Sequence, residues 1–175
     1  MVRQGKALYV GISKYPREAA ATAYRYLADS HVPCLLYQGC YNMFNREAEE
    51  KGILEQAYNE GSGFVAFSPL AQGLLTDRYL NGIPEDSRIA RGGNLKKEAL
   101  TDEVLRKIKS LNEVALRRGQ TLAEMALAWL LKDQMVTSVI IGASSVKQID
   151  DNLKALNNTS FCDEEITLID SILKS

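Results

Sequence analysis

The chain has 175 residues, 46% of them apolar and 25% charged, with a formal net charge of −1 at pH 7. That balance suits one soluble globular domain able to bury a core, and it gives no electrostatic case for a nucleic-acid partner. No apolar run approaches the roughly 20 residues a membrane helix needs, so no membrane partner is expected. The opening Met-Val-Arg-Gln-Gly-Lys lacks the apolar region of a secretory signal, which makes the cytoplasm the expected compartment.

A first strand is expected over 7–12, where Ala-Leu-Tyr-Val-Gly-Ile is apolar and Ser13-Lys14-Tyr15-Pro16 ends it. Pro16 suits the first turn of a helix over 17–30. Val32-Pro33 punctuates before a second strand over 34–38, and a helix over 47–60 carries Ile53, Leu54, Ala57 and Tyr58 on one stripe. Gly61 and Gly63 stop it, and a third strand follows over 64–67. The segment 68–100 is long, irregular and rich in Gly and Arg, the character of a functional lid-like loop or of a mobile surface loop. Thr101 caps a helix running to Arg117 and stopped by Gly119; Thr121 and Glu124 form a capping box for a helix over 123–132, in which Trp129 is a core residue. A fourth strand is expected over 138–141, then a helix over 146–156 capped by Ser145, then a last amphipathic helix opened by Asp163. Strands alternating with helices imply a parallel sheet covered by helices, and a doubly wound sheet would fit that pattern alone.

Two stretches carry chemistry. Gly63-Phe-Val-Ala-Phe67 runs straight into Ser68-Pro-Leu-Ala-Gln-Gly73, where Pro69 lacks a ladder donor, so a buried strand gives way to a loop at its carboxyl end. In parallel α/β proteins that end is where free backbone N–H groups meet ligands. Gly142-Ala143-Ser144-Ser145 before a helix presents N–H groups and hydroxyls to an anion, or is an ordinary connection with a serine cap. Ser13 and Gln38, at the ends of strands one and two, either bind a carboxamide at the barrel mouth or are polar groups that need structural partners anyway. Cys34, Cys40 and Cys162 show no C-x-x-C spacing, so neither a disulfide framework nor a metal site is expected. Cys34 reads as core, and Cys40 as a candidate reactive thiol beside the site. His31, the single histidine, falls at a helix end on the amino side of a strand and is a poor catalytic candidate.

Phe67-Ser-Pro-Leu-Ala-Gln-Gly-Leu74, with Tyr79-Leu-Asn-Gly-Ile-Pro-Glu-Asp-Ser-Arg88 after it, resembles the strand-seven loop of aldo-keto reductases, in the branch holding bacterial glyceraldehyde 3-phosphate reductases and potassium-channel β subunits. Tyr9-Val-Gly-Ile-Ser13, Gln38-Gly-Cys-Tyr-Asn42 and Val139-Ile-Ile-Gly-Ala-Ser144, with Gln148 and Asn152 after it, agree in order and spacing. The resemblance implies an α/β fold of the (β/α)8 TIM-barrel family, of which residues 1–175 supply one domain, the carboxyl-terminal half-barrel with strands five to eight.

It also implies NADP as cofactor. By resemblance, Ser13 and Gln38 hold the nicotinamide amide and Phe67 abuts the ring. Ser68, Leu70, Gln72 and Gly73 follow the pyrophosphate, Arg78 and Arg88 close over it, and Gly142, Ser144, Gln148, Asp151 and Asn152 hold the adenosine 2′-phosphate end. Lys14 departs from the asparagine of many relatives. Gln148 stands where many carry arginine, which bears on the preference for NADP over NAD, with Lys147 or Arg78 placed to compensate. The family passes a hydride to an aldehyde or ketone while a tyrosine, aided by Lys, His and Asp, protonates the oxygen. Those four belong to segments before strand five, so no catalytic residue is assigned, Tyr41 included. Reduction of a carbonyl substrate is expected only when the other half is supplied. A half-barrel leaves two strand edges and an apolar inner face, so a homo-oligomer or complementation by an amino-terminal half is expected. A non-catalytic nucleotide-binding regulatory module is the alternative role.

Overall fold

The computed structural model describes residues 1–85, 90, 92 and 97–175. Four strands, β1 (Val10–Ser13), β2 (Cys34–Cys40), β3 (Gly63–Phe67) and β4 (Ser138–Ile140), form one sheet in the order β1-β2-β3-β4, every pair parallel. Because each crossover steps the same way and such crossovers are right-handed, the connecting helices share one face of the sheet. That is a half-barrel rather than a doubly wound sheet, whose strand order would reverse.

The helices are α1 (Arg17–Asp29), α2 (Glu47–Glu50), α3 (Ile53–Asn59), α4 (Asp102–Arg117), α5 (Leu122–Leu130), α6 (Val146–Leu153) and α7 (Asp163–Lys174). Among the described residues none is long and apolar enough to cross a membrane. The expected caps are present. Thr101 Oγ1 accepts from Val104 N, Thr121 and Glu124 form the reciprocal capping box, and Ser145 Oγ accepts from Gln148 N. The single helix expected over 47–60 is two, because Gly52 takes left-handed backbone (φ 66°) and ends α2. β1 starts three residues later than expected, leaving Leu8 and Tyr9 exposed, and α6 passes into a 3-10 turn, Lys154–Asn157.

Burial alternates along the strands, as a sheet covered on one face requires. Ile12, Tyr37, Phe64 and Ala66 are buried beneath the helices. Tyr37 stacks on Phe64 at 5.5 Å between centroids, Tyr41 meets Phe64 edge-on, and fully buried Trp129 of α5 lies 5.5 Å from Tyr41. Arg46 and Lys132 both sit over the Trp129 ring. Among the described residues the opposite face has no such cover. Register sets Ser13, Gln38, Val65 and Ser138 in one row and Cys40, Phe67 and Ile140 in the next, and none of these is buried.

The covered face leaves no room at Gly39. A Cβ there would lie 2.7 Å from Phe64 Cζ and 3.1 Å from Tyr37 Cε1. Gly39→Ala is expected to cost about 1–3 kcal/mol by overpacking the stacked pair, read as a lower urea midpoint with unchanged slope.

Candidate functional site

The carboxyl ends of β3 and β4 lie side by side, with Phe67 paired to Ile140. From Phe67 the chain enters a turn that left-handed backbone shapes at three non-glycine residues, Ser68 (φ 55°), Ala71 (φ 46°) and Gln72 (φ 59°). Conformations of this kind cost on the order of 1–3 kcal/mol each and persist where their surroundings enforce them. Asn42 does much of the enforcing. It is buried, its Nδ2 donates to Ser68 O at 2.9 Å, and its Oδ1 accepts from the backbone of Phe44 and Asn45. Further along, Gly73 N donates to Leu70 O and Thr76 Oγ1 to Gly73 O.

This turn and the one after β4 enclose a cleft of about 230 Å³. Seven of the residues singled out from sequence line it: Ser68, Leu70, Gln72, Gly73, Arg78, Gly142 and Gln148. Ile140 and Ile141 also line it, and Tyr79 and Thr76 close one side. Gln148 Oε1 accepts from Ser144 N at 2.8 Å and Ser144 Oγ at 3.2 Å, so a side chain of α6 occupies the amide that the sequence offered to an anion.

The other expected residues are distributed differently. Ser13 Oγ donates to Gln38 Oε1 at 3.4 Å, on the uncovered face of the sheet. Gln38 does not end its strand, because β2 continues to Cys40 in register with Phe67. Phe67 faces the same side, with Lys14 Nζ 6.0 Å from its ring centroid. Asp151 lies outside the cleft lining. Hydrogen bonds first from Lys147 and then from Lys154 hold its carboxyl below the usual range. Asn152 is buried, and its Nδ2 has no partner among the described residues. Arg88 lies outside the described residues.

No general acid emerges from the candidates sequence raised. Tyr41 is buried and donates to Glu49 Oε2 at 2.9 Å; burial, then the Glu49 charge, push its hydroxyl far above the ordinary tyrosine range. His31 is exposed at the opposite end of β2. Burial pushes the Cys40 thiol up, Lys14 only partly offsetting it, the reverse of what a reactive thiolate needs. Two larger hollows, of about 680 and 800 Å³, lie beside Arg46 and Asp170 and beside Tyr15 and Glu47. Asn42, quoted from sequence only as part of the Gln38–Asn42 match, and Thr76 were assigned no role there; an asparagine shortly after a strand is a turn-forming signal that marks the first.

The model of the aldo/keto reductase family matches residues 1–174. The chain belongs to that family. This aldo-keto reductase chain is 50% identical over 173 residues to an L-glyceraldehyde 3-phosphate reductase of Escherichia coli O157:H7, covering 97% of the chain and 50% of the relative. It is 39% identical over 162 residues to a probable voltage-gated potassium channel subunit beta of Arabidopsis thaliana, covering 90% of the chain and 49% of the relative. Among solved structures it matches a thermostable aldo-keto reductase, Tm1743, in complex with the inhibitor epalrestat. That match has a TM-score of 0.70 at 29% identity, over 98% of the chain and 50% of the other. The chain thus spans about half the length of the relatives it matches, and its four parallel strands are half of a TIM barrel.

Proposed function

We propose that this chain is the cofactor-holding half of an NADPH-dependent carbonyl reductase, and that by itself it binds the dinucleotide without reducing a carbonyl. The observation that carries the reading is the cleft between the Ser68–Gly73 turn and the Gly142–Gln148 turn, at the carboxyl ends of two adjacent parallel strands.

The donor set fits a phosphate-bearing ligand. The amino end of α6 favours an anion there, Arg78 adds positive charge on the facing turn, and the Ser144 hydroxyl, held now by Gln148 Oε1, joins them only when Gln148 releases it. Ser13 and Gln38 fit a carboxamide, and Phe67 offers an aromatic edge to the ring that bears it. Bound NADPH would supply the hydride; the residues present here would hold and orient it. Asp151 is committed to two lysines and takes no direct part in this reading, whereas Asn152 retains an unsatisfied amide nitrogen. The cytoplasm is the compartment this reading assigns, consistent with three free cysteines.

The test is a fluorescence titration with NADPH beside a consumption assay with glyceraldehyde and methylglyoxal. Saturable binding without turnover is expected. Absence of binding at millimolar NADPH would remove the cofactor reading, and turnover that survives repurification would remove the claim of inactivity.

A further inference from the structure

The turn that forms one wall of the cleft is held by a residue of another loop. β2 and β3 pair as far as Cys40 and Phe67, and Tyr41 N donates to Phe67 O at 3.4 Å. Beyond that the two backbones part, and Asn42 Nδ2 makes the next contact, donating to Ser68 O at 2.9 Å. A side-chain amide thus stands where the ladder would set a backbone N–H, and it reaches the first of the turn's three left-handed residues. Ser68 O accepts twice, since Ala71 N also donates to it, at 3.0 Å. The far end of the turn is tied within its own segment, by Thr76 Oγ1 on Gly73 O. β2 and β3 are the two inner strands of the sheet, so the contact does not depend on its edges.

Asn42 is itself fixed. It exchanges backbone hydrogen bonds with Asn45, and its Oδ1 accepts from Phe44 N and Asn45 N, which orients the amide and turns its nitrogen to Ser68. On one side Tyr41 donates to Glu49 of α2; on the other Arg46 forks onto the same carboxylate and donates to Asp170 of α7. The loop 41–46 is therefore pinned at both ends to the helix layer.

We propose that Asn42 is a positioning residue of the cleft: it holds the Ser68–Gly73 turn in its left-handed shape before a ligand arrives, so that a phosphate-bearing dinucleotide meets a wall already formed. Naming the dinucleotide rests on the reading given above; the clamp on the turn does not. Left-handed backbone at three non-glycine residues persists only where something enforces it. Without Asn42 the ligand must order the turn as it binds, and that cost is subtracted from its affinity.

The experiment pairs hydrogen exchange, followed residue by residue by NMR, with titration of NADPH and NADH, on the whole chain and on Asn42→Ala and Asn42→Asp. Aspartate keeps an oxygen for Phe44 N and Asn45 N and loses the donor to Ser68 O, so it separates the clamp from the local cap. In the natural chain the N–H groups of Ala71 and Leu75, bonded to Ser68 O and Leu70 O, are expected to be protected. In both variants they should exchange at least about tenfold faster while the amides of β3 and α5 keep their rates. Both dinucleotides should weaken alike, by about tenfold. Unchanged exchange at the turn, faster exchange throughout the chain, natural affinity in Asn42→Asp, or variants that fail to fold would each overturn the proposal, the last by making Asn42 a residue of the core alone. A chain that binds neither dinucleotide while its variants loosen this turn sinks the cofactor reading and leaves the clamp. One that binds NADPH equally with and without Asn42 sinks the clamp and leaves the cofactor reading.

Discussion

Replacing Gln148 with arginine is expected to tighten NADPH binding by about tenfold while leaving NADH within about twofold, because a charge-assisted hydrogen bond contributes about 1.5–3 kcal/mol and this site is partly open to solvent. The expectation comes from what Gln148 does now. Its Oε1 accepts from both the backbone N–H and the hydroxyl of Ser144, at 2.8 and 3.2 Å, so two groups suited to an anion are spent on an internal partner. Arginine has no acceptor to offer them. The substitution therefore releases Ser144 toward the ligand and adds a guanidinium one turn into α6, where only a 2′-phosphate profits. Gln148→Ala separates the contributions: it releases Ser144 without adding charge and should give a smaller gain. Titration of the three proteins with both dinucleotides is the measurement. Equal improvement for NADPH and NADH would show that the phosphate end does not lie at this turn.

Local signals were the legible part of the fold. Thr101, Thr121 with Glu124, and Ser145 sit at helix starts whose capping depends on residues two or three positions away, and each caps as its sequence implies. The break at Gly52 was equally local but easy to miss, since the apolar stripe of Ile53, Leu54 and Ala57 begins right after it and Ala48 extends the pattern backward. In the site, Ser68, Gln72 and Gly142 were readable as strand-end residues, whereas their being drawn into one cleft depends on β3 and β4 being neighbours. About 70 residues separate those strands in the chain, and only the register of the sheet joins them. The Ser144–Gln148 contact and the Asn42 clamp on Ser68 are side-chain geometry, which spacing does not determine. The second strand was expected to end at Gln38; it continues through Gly39, the residue small enough to lie under Phe64, to Cys40.

Arg118→Ala is expected to remove about 3 kcal/mol of stability, toward the lower end of the range for breaking a buried ion pair, since Glu165 keeps some contact with water. Arg118 follows the last turn of α4, and its side chain is only 3% exposed. Its guanidinium donates to Glu165 Oε2 at 2.5 Å, to Ser160 O at 2.9 Å and to Gln120 Oε1 at 2.9 Å, and lies 3.6 Å from the centroid of the Phe161 ring. One side chain thus ties α4 to the segment entering α7. Alanine abandons two backbone and side-chain acceptors, a carboxylate and a stacked ring at once. Lysine keeps the charge but neither the fork nor the flat stacking surface, and is expected to recover less than half of the loss. Acid titration supplies a reading that simple loss of packing would not move. Partial burial opposes the charge on Glu165, but the Cys162 N–H and Arg118 outweigh it and hold the carboxyl below its ordinary range. A depressed folded value means that stability is present above the unfolded carboxylate range and fades as pH falls through it toward the folded one. In Arg118→Ala that part of the acid sensitivity should shrink, so the two proteins differ most near neutrality and converge at low pH. Parallel stability curves across that range would show that Arg118 acts through packing alone.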